Sequence, residues 1–186
     1  MKIVTAGSHG TGKSSFAKGL AEKLNCHLIK DIVREEILPK GFTINEQTPP
    51  EVQWLLVGRQ WELENTKSEN WVSDKCLFDY LIYGEIILEK QNSEKARKVL
   101  GAIREIVRDN TKYDLVFYLP IEFPMELDGA RSEDLEFQIE VDRRYKKLLD
   151  EWGIKYITLP SFIKESASKE EAIEKRINLA LSYINK

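Results

Sequence analysis

The chain is short of cysteine, of charge of one sign and of long apolar runs, and each shortage removes a class of protein. Its two cysteines, Cys26 and Cys76, lie far apart and form no metal-spaced pair. They are expected as buried thiols in a reducing cytosol, so a cytoplasmic location is expected. Lys+Arg number 28 against 31 Asp+Glu, a net charge of -3. That balance gives no electrostatic reason to expect a nucleic-acid or membrane partner. A phosphate pocket is not excluded, since it needs only a few cations. No apolar run is long enough to span a bilayer. The first residues also lack the charged, apolar and small-residue layout of a signal peptide. No repeat, low-complexity tract or linker divides the 186 residues, so one domain, 1–186, is expected.

What is present begins at once. Gly7-Ser8-His9-Gly10-Thr11-Gly12-Lys13-Ser14 matches the phosphate-loop pattern G-x-x-x-x-G-K-[ST]. A β-prone run, Lys2 to Ala6, precedes it, and a helix-forming stretch, Ser15 to Leu24, follows. In such a loop glycines let backbone N–H groups approach phosphate oxygens, and the helix start adds partial positive charge. Residues 7–15 are therefore the candidate nucleotide-binding segment. Lys13 is placed for the β- and γ-phosphates and the Ser14 hydroxyl for Mg²⁺. His9 is expected to contribute its backbone more than its ring.

Runs of strand length alternate with amphipathic stretches. Strands are expected at Ile3–Ala6, Cys26–Lys30, Lys75–Asp79, Asp114–Leu119 and Lys155–Leu159. Helical spacing marks Ala96 to Ile106, Val141 to Trp152 and Ile173 to Ile184. The pattern implies an α/β fold, three layers around a five-stranded, mostly parallel sheet. Ligands of such sheets bind beyond the carboxyl ends of the strands. Two loops, Pro39–Pro50 and about 121–134, are candidate covers of that edge.

The sheet rule selects the charged candidates. Asp31 follows the second strand and is either a base for an acceptor hydroxyl or a helix cap. Arg34 lies three residues on, placed for an anionic group or for pairing with Asp31 or Glu35. Asp79, at the end of the expected third strand, is a candidate Mg²⁺ ligand, a role compatible with the alternative of a helix N-cap. Asp114 opens a strand at the opposite edge and is set aside. Glu51 to Glu64 puts Trp54 and Trp61 on one helical face, where they either stack on a flat ring or simply pack; Gln53 is a candidate base reader. Tyr80 and Tyr83 follow Asp79 and are candidates for the same pocket. Asp128-Gly129 favours a tight turn that aims Arg131 back at the phosphates. Arg143 and Arg144 are weaker candidates, with pairing to Glu140 and Asp142 as the alternative.

The loop with Asp31, Arg34, the Asp79-Tyr80 pair and Asp128 to Arg131 resembles the nicotinamide riboside kinase domain of bacterial NAD-regulator proteins and the small kinase and ATPase domains around it. That resemblance implies a nucleoside-kinase-like P-loop fold with the loop strand central, a lid after the fourth strand, and Mg-ATP as phosphate donor. It also implies a nucleoside-like or nucleotide acceptor near Asp31 and Arg34. The chain departs from the pattern at three places. Asp31 stands where the family often has Glu, Tyr80 where it often has Arg, and Glu126-Leu127 where an aromatic often precedes Asp-Gly. A nucleotide switch or an ATPase with a macromolecular partner is the alternative. Thr111-Lys112-Tyr113-Asp114 has the letters of a guanine reader but precedes its strand, and no Asp-x-x-Gly follows the third strand.

Overall fold

The computed structural model describes residues 1–41, 44, 47–66, 70–121 and 135–185. Five parallel strands form one sheet in the order β2-β3-β1-β4-β5. They are β1 (Lys2–Ala6), β2 (His27–Ile29), β3 (Trp71–Ser73), β4 (Leu115–Tyr118) and β5 (Ile157–Thr158). The helices are α1 (Lys13–Leu24), α2 (Pro50–Thr66), α3 (Leu77–Gln91), α4 (Glu94–Asn110), α5 (Leu135–Glu151) and α6 (Lys169–Ile184). Parallel strands need crossover connections, and the helices that supply them cover both faces.

The central strand β1 feeds two cores by alternation. Ile3 packs on one side with Phe16, Leu20, Phe117 and Ile177, from α1, β4 and α6. Val4 and Ala6 face the other side, where α2, α3, α4 and α5 bring Leu56, Leu81, Ile103 and Tyr145. The three-layer expectation is met, with the loop strand at the centre. Among the described residues no helix is long and apolar enough to cross a membrane.

One strand boundary is corrected. The run Lys75–Asp79 is not a strand: β3 ends at Ser73, and Cys76-Leu77-Phe78-Asp79 is the start of α3. Eleven of the 15 residues of α3 are buried, so it shows no apolar stripe at helical spacing, and its first turn resembles a buried strand. The strand-end acid is Asp74, one residue beyond β3. Asp114 does sit at the opposite edge, where its Oδ2 accepts the Lys2 N–H at 2.6 Å. Cys76 is buried, whereas Cys26 is only partly so.

Candidate active site

The loop between β1 and α1 is shaped by contacts that only its residue types allow. Gly7 has φ +123°, and a Cβ there would meet the Leu119 carbonyl oxygen at 2.4 Å. Gly12 is the N-cap of α1 at φ 86° and has no side chain with which to cap that helix. Its first N–H groups and dipole are therefore available to an anion. Lys13 Nζ donates to Gly7 O at 2.6 Å and Ser8 O at 2.5 Å, which holds the ammonium over the loop. Thr11 Oγ1 closes the loop internally on Ser8 O, at 3.0 Å.

Residues 7 to 14 thus form a phosphate loop, with Ser15 exposed in the first turn of α1. The His9 ring is more engaged than expected. Its Nδ1 lies 3.0 Å from the Tyr83 hydroxyl, and its ring packs near Phe137, with centroids 5.9 Å apart. Gln138 Nε2, from the first turns of α5, donates to His9 O at 2.7 Å.

The carboxylate beside Ser14 is Asp74, not Asp79. Asp74 is 7% exposed and accepts a hydrogen bond from the Ser14 side chain. Its backbone is fixed from two strands: its N–H donates to Ile29 O at 3.0 Å, and Thr5 Oγ1 donates to its carbonyl at 2.7 Å. Burial raises the Asp74 carboxyl above its ordinary range, and the Ser14 hydrogen bond and the Lys13 charge oppose that rise. Asp79 instead completes a capping box: its Oδ2 accepts the Cys76 N–H at 2.9 Å, one turn into α3. Asp79 is thus the third residue of α3 and bonds back to the N-cap, Cys76, rather than being the N-cap itself.

Lys75, unnoticed in the sequence, follows Asp74 directly and is surrounded by acids. Burial pushes its ammonium toward neutrality, but Tyr83, Asp31, Asp79 and Asp74 outweigh burial and hold its pKa above the ordinary lysine value. Its Nζ sits 4.6 Å from the centre of the Tyr83 ring. Gln60 holds the segment in place: its Nε2 donates to Lys75 O at 2.7 Å and to Glu64 Oε1 at 2.9 Å. Tyr80 is 4% exposed. Burial, then Asp31, Asp79 and Asp74, raise its hydroxyl far above the usual tyrosine value. Tyr80 is thus close enough to Asp31 and Asp74 to feel their charge, and Tyr83 lies against Lys75 and His9.

Asp31 is 8% exposed and its Oδ1 accepts the Val33 N–H at 3.0 Å, which starts a short π-helical turn, Val33–Ile37. Its Oδ2 lies 4.0 Å from Arg34 Nε. Capping uses one oxygen and leaves the other on the Arg34 side. The two tryptophans do not share the site's buried face. Trp54 and Trp61 are 41% and 42% exposed, and Trp61 Nε1 donates to Asn110 Oδ1 at 2.8 Å. The inward face of α2 carries Gln53, Leu56, Val57, Gln60 and Glu64. Polar residues on a buried face break the apolar pattern from which such faces are read. Gln53 is 1% exposed, and its Nε2 has no hydrogen-bond partner among the described residues.

Arg131 and loop 122–134 lie outside the described residues. Arg143 and Arg144 are paired, though not with Asp142. Both bond to Glu140, at 2.8 Å and 2.6 Å, and Arg144 also reaches Glu89 at 2.8 Å. Arg143 and Arg144 hold the Glu140 carboxyl down at about 2. Asp142 pairs with Lys146 at 3.0 Å.

The donor set bears on Mg²⁺. Among the described residues no group of three or more His, Cys, Asp or Glu is arranged to hold a metal. The Ser14 hydroxyl and Asp74 carboxylate are hard oxygen donors in contact with each other. Mg²⁺ characteristically takes one or two protein oxygens together with phosphate and water, and this pair fits that demand.

A phosphate loop leading from a central parallel strand, with a carboxylate at the end of the adjacent strand, defines a kinase-like P-loop fold. The chain belongs to the AAA domain family, whose model matches residues 2–167. Comparison with curated proteins finds no match. Among solved structures, the NadR protein in complex with NR superposes with a TM-score of 0.74 at 17% identity; the match covers 96% of this chain and 51% of that one. This chain therefore spans about half the length of NadR. Deoxyadenosine kinase from M. mycoides with bound dATP gives 0.71 at 17% identity, covering 100% of both chains. Thymidylate kinase from Ehrlichia chaffeensis gives 0.65 at 13% identity, covering 99% of this chain and 98% of that one. At these identities the likeness establishes the fold.

Proposed function

We propose that the protein is an ATP- and Mg²⁺-dependent phosphotransferase acting on a small nucleoside-like or nucleotide acceptor. One arrangement carries the reading. The phosphate loop's Ser14 meets Asp74, while Asp31, Lys75 and Tyr80 gather at the same sheet edge. Loop N–H groups and Lys13 bind the donor phosphates. Ser14 and Asp74 would hold Mg²⁺, which when bound offsets the charge on the phosphates.

The acceptor hydroxyl attacks the γ-phosphorus. A new P–O bond forms, the bond to the bridging oxygen breaks, and ADP leaves with that electron pair. Asp31, through the oxygen not used in capping, takes the hydroxyl proton. Arg34, beside it, orients the acceptor, as do Tyr80, Tyr83 and Gln53, whose Nε2 has no hydrogen-bond partner among the described residues and suits the edge of a base. Trp54 borders the open side of α2. Arg131 is proposed, on the resemblance, to meet the charge of the transferring group.

The likeness to NadR and to deoxyadenosine and thymidylate kinases supports this choice of acceptor class, with nicotinamide riboside first among the compounds to try. The test is ADP release from Mg-ATP with nicotinamide riboside, nucleosides, deoxynucleosides and their monophosphates. Strong stimulation by one compound establishes the kinase and its acceptor. A flat, slow rate across the panel overturns the reading in favour of a nucleotide switch or an ATPase with a macromolecular partner.

A further inference from the structure

The last helix reaches the phosphate loop through a buried cation. Arg176 is 0% exposed, on a face of α6 otherwise formed by Ala172, Ile177 and Ala180. Its Nη1 donates to Thr11 O at 2.8 Å and its Nε donates to Pro160 O at 2.8 Å. One guanidinium therefore joins the phosphate loop to the segment that leaves β5. The register is set next door. A Cβ on Gly19 of α1 would meet Ile177 Cδ1 at 2.5 Å, so α6 lies directly against the helix that the loop begins.

We propose that Arg176 is a positioning residue for the phosphate loop and strengthens its grip on polyphosphate from behind. The inference rests on the reading of that loop as a nucleotide site. The Thr11 carbonyl and the Gly12 N–H belong to one peptide unit. A charged donor on the carbonyl polarises that unit and makes its N–H a better donor to phosphate. The fixed fork also holds Thr11 while its hydroxyl is bonded to Ser8 O, at 3.0 Å, so the loop keeps its curvature. The guanidinium charge adds attraction for an anion on the loop's far side, little screened because water is excluded. A helix that begins near residue 169 thus contributes to donor binding at residues 7–14.

The test is calorimetric titration of the full chain with Mg-ATP and, separately, with Mg-tripolyphosphate, which has the phosphates but no base. Arg176→Met is expected to weaken both by about tenfold, the size of a lost charged hydrogen bond. Arg176→Lys keeps the charge but cannot span both carbonyls, and is expected to recover part of that loss for both probes. Affinity within about twofold of wild type in a folded Met variant overturns the inference, as does a loss confined to Mg-ATP, which would place the effect on the Pro160 side. If circular dichroism shows the Met variant unfolded, the Lys variant decides: a several-fold loss for both probes supports the inference, and unchanged affinity overturns it. Wild-type protein that binds neither probe is a different result, which removes the nucleotide-site reading itself and this inference with it.

Discussion

The Ser14 hydroxyl is hydrogen-bonded to the Asp74 carboxylate, joining the end of the phosphate loop to the residue after β3. The sequence alone points instead to Asp79, five residues further on. Asp74→Asn keeps the shape and the hydrogen bond but removes the charge. Turnover of the stimulated reaction is expected to fall about a hundredfold or more, with a higher Mg²⁺ requirement. Steady-state rates across a Mg²⁺ titration check this, and an unchanged profile would return Asp74 to a purely structural role.

Asp79→Ala is expected to act on stability first. It removes the side chain that accepts the Cys76 N–H at 2.9 Å. The loss of such a cap costs about 1 kcal/mol, or a Tm lower by roughly 2–4 °C in a chain of this size. Turnover should fall far less than in Asp74→Asn. Thermal melts and rates on both variants compare the two acids, and the reverse ranking would restore Asp79 as the metal carboxylate.

Lys13→Ala should abolish transfer while leaving the fold. The ammonium donates to the carbonyls of Gly7 and Ser8 at 2.6 Å and 2.5 Å, and losing those bonds should cost about 1–2 kcal/mol of stability. Circular dichroism and the coupled ADP assay read the two effects separately. Normal turnover in the variant would sink the phosphate-loop reading.

Asp31→Asn separates two roles for one side chain. The amide oxygen can still accept the Val33 N–H, so the turn that follows should persist. If the oxygen not bonded to the Val33 N–H is the base, the rate with acceptor falls roughly a hundredfold or more at unchanged Mg-ATP affinity. A rate equal to wild type leaves Asp31 as a cap alone.

Glu64 predicts a pH dependence of stability. Burial raises its carboxyl from 4.5 to about 7, against Gln60, Tyr113, the Leu77 N–H and the Lys2 charge, all of which pull it down. The folded chain keeps this proton after the unfolded chain has lost it. The stabilisation is therefore fully present below about pH 4.5 and is lost as pH rises through about 7. The integrated loss is on the order of 3 kcal/mol. Glu64→Gln cannot titrate, so its denaturant midpoint should fall less than that of wild type between pH 5 and 8. Parallel profiles for the two proteins would show that Glu64 is charged across that range in the fold.

Most of the scaffold was legible because it depends on local patterns. The loop's glycines, the apolar runs of β1, β2, β4 and β5 and the stripes of α4, α5 and α6 are short-range signals. α3 was not legible: a helix buried nearly all round has no polar side to reveal its period, and Trp71-Val72-Ser73 is short for a strand. That misplacement moved the strand-end acid from Asp74 to Asp79. α2 was legible only in part. Its sequence left the tryptophans to stack on a ring or to pack, and did not reveal that Gln53, Gln60 and Glu64 are the residues turned inward. Buried polar side chains are stabilised by partners distant in sequence, as Gln60 is by Lys75 O and Glu64 by Tyr113.

The sequence by itself determined that a phosphate loop lies between a strand and a helix in an α/β sheet, because that motif is contiguous and its glycines answer to backbone geometry alone. Only the tertiary structure decided which carboxylate meets Ser14, that Lys75 sits among acids, and that Arg176 reaches Thr11 from the far end of the chain. Those relationships depend on strand order and helix register, which bring distant residues within hydrogen-bond range and leave no local trace in composition or spacing.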